Sequence, residues 1–294
     1  MLAAVPVLAP GLAPVRADVR PLTLYERTGR APLVIWGEVA DGEHRFAEIR
    51  TLQIVKCDIP ERPPATFRIA FRLDSFLRRP WEGPITFKDG ERVVLFLRKF
   101  TKEDGEQPEG DLYTLMWGAQ GKFLLPPEGE QAYVDAVRAF EAVLTVDDPD
   151  RQAVMLRGLL EHRNPYISDT SFEEMIRQGL GDPDLVPDLF GYFAAQREPT
   201  RVLAMRLMRQ ILEDARAAGR EIPAPQGIVD MADALRGRAV ADTSEGFRVE
   251  TVRTLAVLGG DDTKAFLTRL AREDPSQHVR YEAEKTLLGW ARTQ

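Results

Sequence analysis

The chain has 294 residues, of which 44% are hydrophobic and 29% charged, and its formal net charge is -7. This composition is that of a soluble globular protein with one large or two ordinary domains, and it excludes a disordered chain. The negative balance argues against a nucleic-acid-binding face, which requires clustered Lys and Arg. The single cysteine, Cys57, excludes an intramolecular disulfide and a CxxC metal site, and its β-type surroundings favour a small buried thiol over a reactive one.

Residues 1–17, MLAAVPVLAPGLAPVRA, are apolar and rich in Ala and Pro. The small residues around Ala17 suit a signal-peptidase site, whereas three prolines and the lack of a basic residue after Met1 count against a complete signal peptide. Two interpretations stay open. A signal-peptide remnant predicts a periplasmic or secreted protein, and a loose tail leaves a cytoplasmic location. No other segment reaches the ~18 apolar residues that span a bilayer, so no membrane span is expected.

Between about Leu22 and Leu125 the pattern is β-like. Alternating or continuous apolar runs occur at Leu33–Val39, Phe67–Leu73, Val93–Leu97 and Leu112–Met116, with turn residues such as Asp-Gly between them. The VVLFL run predicts a central strand that is buried on both faces. Five to seven short strands predict a small antiparallel barrel or sandwich over residues 22–126.

Beyond Pro126-Pro127 the apolar residues follow a helical period up to the last residue, so residues 128–294 are predicted to be all-α. The predicted fold class is therefore α+β with two domains, a small antiparallel β-barrel followed by a helical array. A pattern recurs within the helices: RVETVRTL begins at Arg248, and RYEAEKTL begins thirty-two residues later at Arg280. A looser copy, RVLAMRLM, begins at Arg201. The repeating unit is a helix pair, and such pairs must stack to bury their apolar stripes.

The segment DPSQHVRYEAEKTLLGW, from Asp274 to Trp290, resembles the second helix of a HEAT-type repeat. The match is good here, moderate at Phe247–Gly259 and weak before Arg201. The resemblance implies that Arg248 and Arg280 have a structural role, because such arginines commonly bond between adjacent HEAT repeats. The alternative is that these charges belong to a solvated helix face.

The N-terminal half carries a second resemblance. LVIWGEV, LQIVKC, DGERVVLFLR and GAQGKFLL are similar to the barrel of exported bacterial proteins with an OB-like, netrin- or TIMP-type fold. The resemblance implies a barrel. The disulfide cysteines common in netrin-like domains are absent from this sequence.

The sequence contains no recognisable catalytic or metal-binding motif, so no catalytic residue, metal or cofactor is predicted. His44, His162 and His278 lie on separate elements and lack a second ligand at metal spacing. Gly118–Lys122 precedes a strand rather than a helix, which favours a hairpin turn over a phosphate loop. The pairs Asp147-Asp148 and Asp261-Asp262 stand at predicted helix starts, where capping is expected rather than acid–base chemistry.

One surface candidate is the segment FLRRPWEG, which joins two β-type stretches and presents Arg78, Arg79 and Trp81. Trp together with Arg is enriched at interfaces, and barrel loops often carry binding residues. In the alternative interpretation Trp81 caps the barrel and both arginines are solvated.

These observations predict a non-catalytic protein-binding or scaffold protein whose helical array is the interaction surface. A protein partner is expected, no nucleic acid is expected, and the oligomeric state stays open. The alternative is an enzyme inhibitor or an uncharacterised hydrolase with a site in the β-domain, where Glu91, Asp111 and His44 lie near predicted strand ends. A structural subunit that packs its helical face against another chain is a third possibility.

Overall fold

The computed structural model describes residues 21–43, 46–71, 85–101, 104, 112–125, 129–195, 197–222 and 230–293. A closed β-barrel in the N-terminal part is followed by a C-terminal array of helices, so the predicted α+β class with two domains is confirmed. The strands are β1 (Leu33–Gly42), β2 (Phe46–Cys57), β3 (Thr66–Ala70), β4 (Arg92–Lys99), β5 (Leu112–Leu115) and β6 (Lys122–Leu124).

Five strands close the barrel in the order β1-β2-β3-β5-β4, and β4 pairs back onto β1. Every pairing is antiparallel except that of β3 with β5, which runs parallel from Arg68 opposite Leu112 to Ala70 opposite Thr114. The prediction of a purely antiparallel barrel is therefore wrong at this pair. The reason is geometric: strand directions cannot alternate all the way around a closed ring of five, so at least one neighbouring pair must be parallel.

The prediction of a hairpin turn at Gly118–Lys122 is also wrong. β5 and β6 do not pair with each other; both pair with β4, β5 beside Leu97–Lys99 and β6 beside Val93–Leu95. A single 3-10 turn at Gly118–Gly121 joins them. Gly121 is required in this turn because a Cβ there would stand 2.2 Å from the main-chain oxygen of Met116.

The central strand β4 is buried on both faces, as the VVLFL run predicts. Val93, Leu95 and Leu97 belong to the core inside the barrel. Val94 and Phe96 belong instead to a second core, which the outer barrel wall shares with the helices. The barrel and the array are thus joined by one continuous apolar layer.

The residues just before β1 form a helix, α1 (Leu24–Arg30), although the sequence pattern there predicts β structure. A capping box explains the difference: the Thr23 hydroxyl accepts from the Glu26 amide, and the Glu26 carboxylate accepts from the Thr23 amide. At the other end the Lys56 ammonium donates to the carbonyl oxygens of Thr28 and Gly29, at 2.8 and 3.4 Å. Both helix ends are therefore satisfied by groups that a period-based interpretation overlooks.

The helices of the array are α2 (Glu130–Leu144), α3 (Pro149–Leu159), α4 (Pro165–Gln178), α5 (Val186–Tyr192), α6 (Glu198–Ala218), α7 (Met231–Ala241), α8 (Glu245–Leu258), α9 (Asp261–Glu273) and α10 (Gln277–Thr293). From α3 onward they form helix pairs. The second helices of the pairs, α4, α6, α8 and α10, contact one another in sequence, and α3, α5, α7 and α9 each pack on the helix that follows. No strand occurs after residue 132 in the described ranges.

The two Asp-Asp pairs have different roles. Asp148 is the N-cap of α3, and its carboxylate accepts from the amides of Asp150 and Arg151. The capping prediction for the other pair is wrong, because Gly260 is the residue before α9, and Asp261 and Asp262 lie within its first turn. There they complement the helix dipole without capping an amide.

We expect Asp148→Ala to lower the free energy of unfolding by about 1 kcal/mol, since it removes the acceptor for two amides at the start of α3. Urea denaturation followed by circular dichroism measures the change. Asp147→Ala is the matched control, and an equal loss in both variants would contradict the capping role.

Candidate protein-interaction surface

Two aspartate–arginine pairs connect successive second helices. Arg201 on α6 meets Asp242, which lies just before α8, with the Arg201 Nε 3.1 Å from Asp242 Oδ2. Arg248 on α8 meets Asp274, just before α10, with both nitrogen–oxygen distances at 3.3 Å. Each aspartate also accepts an amide two residues onward, from Ser244 and Ser276, both at 2.8 Å. Each aspartate therefore accepts a hydrogen bond at the start of a helix and also forms an ion pair with the arginine of the preceding sequence copy.

The three arginines that begin the sequence copies hold the same local position. Arg201, Arg248 and Arg280 each donate through Nη1 to the carbonyl six residues earlier, at 2.8, 3.0 and 2.6 Å. Arg280 donates in this way to the main chain of Asp274, within its own helix–loop junction. The local geometry therefore repeats as regularly as the sequence does.

Five residues after each of these arginines stands a second basic residue: Arg206 on α6, Arg253 on α8 and Lys285 on α10. We call these three residues the basic strip. Because α6, α8 and α10 are neighbours in the array, one cation from each helix lines up across three helices.

Buried carboxylates lie between the members of the basic strip. Glu250 Oε1 accepts from Arg206 Nε and from Arg253 Nη1, both at 2.9 Å. Glu282 accepts from Arg253 Nη2 at 3.1 Å and from Lys285 Nζ at 3.2 Å. The result is a continuous chain in which cations and carboxylates alternate from α6 to α10.

The cations face solvent and the carboxylates lie beneath them. The side chains of Arg206, Arg253 and Lys285 are 47%, 35% and 61% exposed, whereas those of Glu250 and Glu282 are 3% and 10% exposed. The exposed side chains of the strip are therefore basic, although the whole chain is acidic. Beside the strip runs a shallow depression, the array groove, lined by Arg209, Glu213, Arg253, Ala256, Val257, Glu282, Lys285 and Thr286.

The ion pair between Arg253 and Glu282 shifts the pKa values of both residues. The hydrogen bond from Arg253, followed by that from Lys285, lowers the pKa of the Glu282 carboxyl below its usual value. Glu282 in turn raises the pKa of Arg253. Because the folded-state pKa of Glu282 is depressed, its contribution to stability is present above the unfolded pKa and is lost as pH falls through the folded value. The strip therefore keeps its carboxylate ionised into mildly acidic conditions.

The binding and catalytic candidates that the sequence offers in the β-domain lie away from this surface or outside the described residues. Arg78, Arg79 and Trp81 lie outside the described residues, as do residues 1–17. Of the β-domain candidates, His44 and Asp111 also lie outside them, and Glu91 forms an ion pair with Lys122 at 2.6 Å.

Cys57 is exposed at the end of β2, so the prediction of a buried thiol is wrong. Successive residues of a strand point to opposite faces, and the side chain of this last residue of β2 faces solvent. Trp36 and Trp290 are partly buried and pack against the core that the barrel shares with the helices.

Neither described histidine belongs to a metal site. His162 Nδ1 accepts from the Asn164 amide at 3.0 Å, and His278 lies 2.7 Å from Glu245 on the surface. Within the described ranges no group of three His, Cys, Asp or Glu residues could hold a metal ion. None of the helices described there is both long and apolar enough to cross a membrane.

The fold and this surface define a class of protein: an α+β chain in which a closed β-barrel precedes a stack of helix pairs with a basic strip across its second helices. Comparison of the chain with protein-family models, with curated protein sequences and with solved structures gave no match.

The recurring segments RVETVRTL and RYEAEKTL contain two members of the basic strip, but the sequence alone does not predict the strip. The signal was present, because Arg206, Arg253 and Lys285 share one offset in the three copies. Only the stacking order shows that the three helices are neighbours, and only side-chain packing shows that the glutamates are buried.

Proposed function

We propose that this protein is a non-catalytic protein-binding or scaffold protein that holds a protein partner in the array groove. The observation that carries the proposal is the basic strip, a row of solvent-facing cations that crosses α6, α8 and α10 over buried carboxylates. Stacked helix pairs commonly use such extended surfaces for binding.

The buried glutamates are not needed for helix stacking. At the position of Glu250 and Glu282, the copy on α6 has Leu203, which is also buried. A buried ion pair gives little net stability relative to an apolar residue, because desolvation offsets the attraction. Their use in two consecutive copies supports a role in holding Arg253 and Lys285 at the surface.

We also propose that the barrel is OB-like, that the array is HEAT-like and that the protein is exported. A closed five-stranded barrel is the architecture that the OB-like resemblance implies. The ion pairs that Arg201 and Arg248 form with aspartates before the next second helix are compatible with a HEAT-like array. The composition of residues 1–17 supports an exported protein in the periplasm or outside the cell. The alternative is an inhibitor or hydrolase with a site in the β-domain. Of its candidate residues only Glu91 is described, and Glu91 forms an ion pair with Lys122.

Photo-crosslinking tests the proposal. A benzophenone amino acid in place of Glu213, at the exposed rim of the groove, is expected to give discrete adducts with another protein in cells that express the full chain. The same amino acid in place of the exposed Glu273 on α9 is the control. Equal adduct patterns from the two positions, or none from Glu213, would refute the groove as the binding surface.

A further inference from the structure

We propose that the array groove takes an extended acidic peptide segment whose carboxylates stand at alternate residues. This inference rests on the proposed function and specifies the chemistry of the partner. It follows from the sign of the exposed charge, from the spacing of the cations and from their fixed orientation.

The cations of the basic strip keep donors available for a ligand. Arg206 uses Nε for Glu250, and its two Nη groups have no partner among the described residues. Lys285 uses one of its three N–H groups for Glu282. A guanidinium has five N–H donors and an ammonium three, so each side chain can bind a further carboxylate without breaking its present bond.

The spacing of the cations matches an extended chain. Arg206 Nε and Arg253 Nη1 both lie 2.9 Å from the same oxygen of Glu250. These two nitrogens are therefore at most roughly 6 Å apart, and an extended segment places alternate side chains of one face ~6.6 Å apart. Glu282 bridges Arg253 and Lys285 through its two different oxygens, at 3.1 and 3.2 Å, so these two cations are neighbours as well. A segment that crosses α6, α8 and α10 would place every second side chain over a cation.

The strip is ordered before a ligand arrives. Arg253 is held through two nitrogens by two carboxylates that are themselves nearly inaccessible to solvent. Its side-chain entropy is thus already lost in the free protein, which reduces the entropic cost of binding. Ala256 and Val257 give the groove an apolar floor against which a peptide backbone can lie.

The whole-protein charge does not oppose this recognition at contact. A net charge of -7 is largely screened beyond the Debye length, about 8 Å at physiological salt, so the cations of the basic strip determine the potential that a bound segment meets. The groove lining contains no aromatic side chain, which a single-stranded nucleic acid would need for base stacking. A short acidic peptide segment is therefore favoured over an RNA.

Fluorescence anisotropy with the full chain and three labelled peptides tests the inference. The first peptide carries four glutamates at alternate positions between alanines, the second has the same composition with the glutamates consecutive, and the third has lysine in place of glutamate. We expect the first to bind more tightly than the second by a factor on the order of ten, and the third not to bind. Arg253→Glu with Lys285→Glu should abolish binding of the first peptide.

Lys264→Glu with Arg272→Glu, on the exposed side of α9, makes the same charge change and should leave binding unaltered. Lys285→Glu alone, at a highly exposed side chain, keeps the test decisive if the double reversal fails to fold. Equal affinity for the two acidic peptides would contradict the proposed spacing of the ligand's carboxylates. Tighter binding of the lysine peptide or of single-stranded RNA would contradict the proposal that the ligand is an acidic peptide. If no peptide bound, both parts of the proposal would be wrong. In each of these cases the adducts from the Glu213 position still decide the proposed function separately.

Discussion

Asp274→Ala is expected to lower the free energy of unfolding by about 3–5 kcal/mol, because it leaves the buried guanidinium of Arg248 without its counter-charge. The same carboxylate accepts the Ser276 amide, so the start of α10 loses an acceptor as well. Guanidinium chloride denaturation followed by circular dichroism measures the loss.

Two companion variants make the result specific. Asp262→Ala removes an exposed carboxylate that caps no amide, and it should change stability by less than about 1 kcal/mol. Arg248→Met together with Asp274→Ala removes both charges and should be more stable than Asp274→Ala alone. If Asp262→Ala and Asp274→Ala were equally stable, the ion pair would have no role in joining α8 to α10.

Phe96→Ala is expected to destabilise the barrel and the array together, by about 3–5 kcal/mol, through the cavity it leaves in a fully buried site. Phe96 is on the outer face of β4, in the core that the barrel shares with the helices, and the Arg27 guanidinium lies 5.8 Å from the centre of its ring. Both parts of the chain should therefore unfold in one transition at a lower denaturant concentration.

Barrel and array can be followed separately by hydrogen exchange, at amides of β4 and of α8. Leu124→Ala on the neighbouring strand β6 is the control, since that side chain is exposed and its truncation should cost less than about 0.5 kcal/mol. Loss of protection in β4 with α8 unaffected would show that the shared core does not couple the two parts.

The candidate surface depends on the same ion pairs. The aspartate–arginine pairs at Arg201 and Arg248 lie where successive helix pairs meet, so they set the spacing of α6, α8 and α10. The cations of the basic strip have the same spacing, because each of them lies five residues after the arginine that begins its sequence copy. A loss of register at Asp274 should therefore weaken ligand binding as well as stability.

Several features could be predicted from the sequence because they depend on local periodicity. The alternation in Phe67 and Ile69 identified β3, the VVLFL run identified a strand buried on both faces, and the recurring RVETVRTL and RYEAEKTL identified paired helices that must stack. Each of these signals lies within one element or one repeat, where neighbouring residues determine which side of the chain is apolar.

Other features depend on contacts between residues far apart in the chain, and only the tertiary structure decided them. A period of two shows which strand face is buried but not the direction of the neighbouring strand, so the parallel pairing of β3 with β5 could not be read from either segment. As charged residues within helices, Glu250 and Glu282 would be expected to face solvent. The stacking of α6, α8 and α10 buries them instead and leaves their arginine and lysine partners exposed. Burial is a property of the packed helices together, and it is this packing that turns a repeated charge pattern into a basic surface.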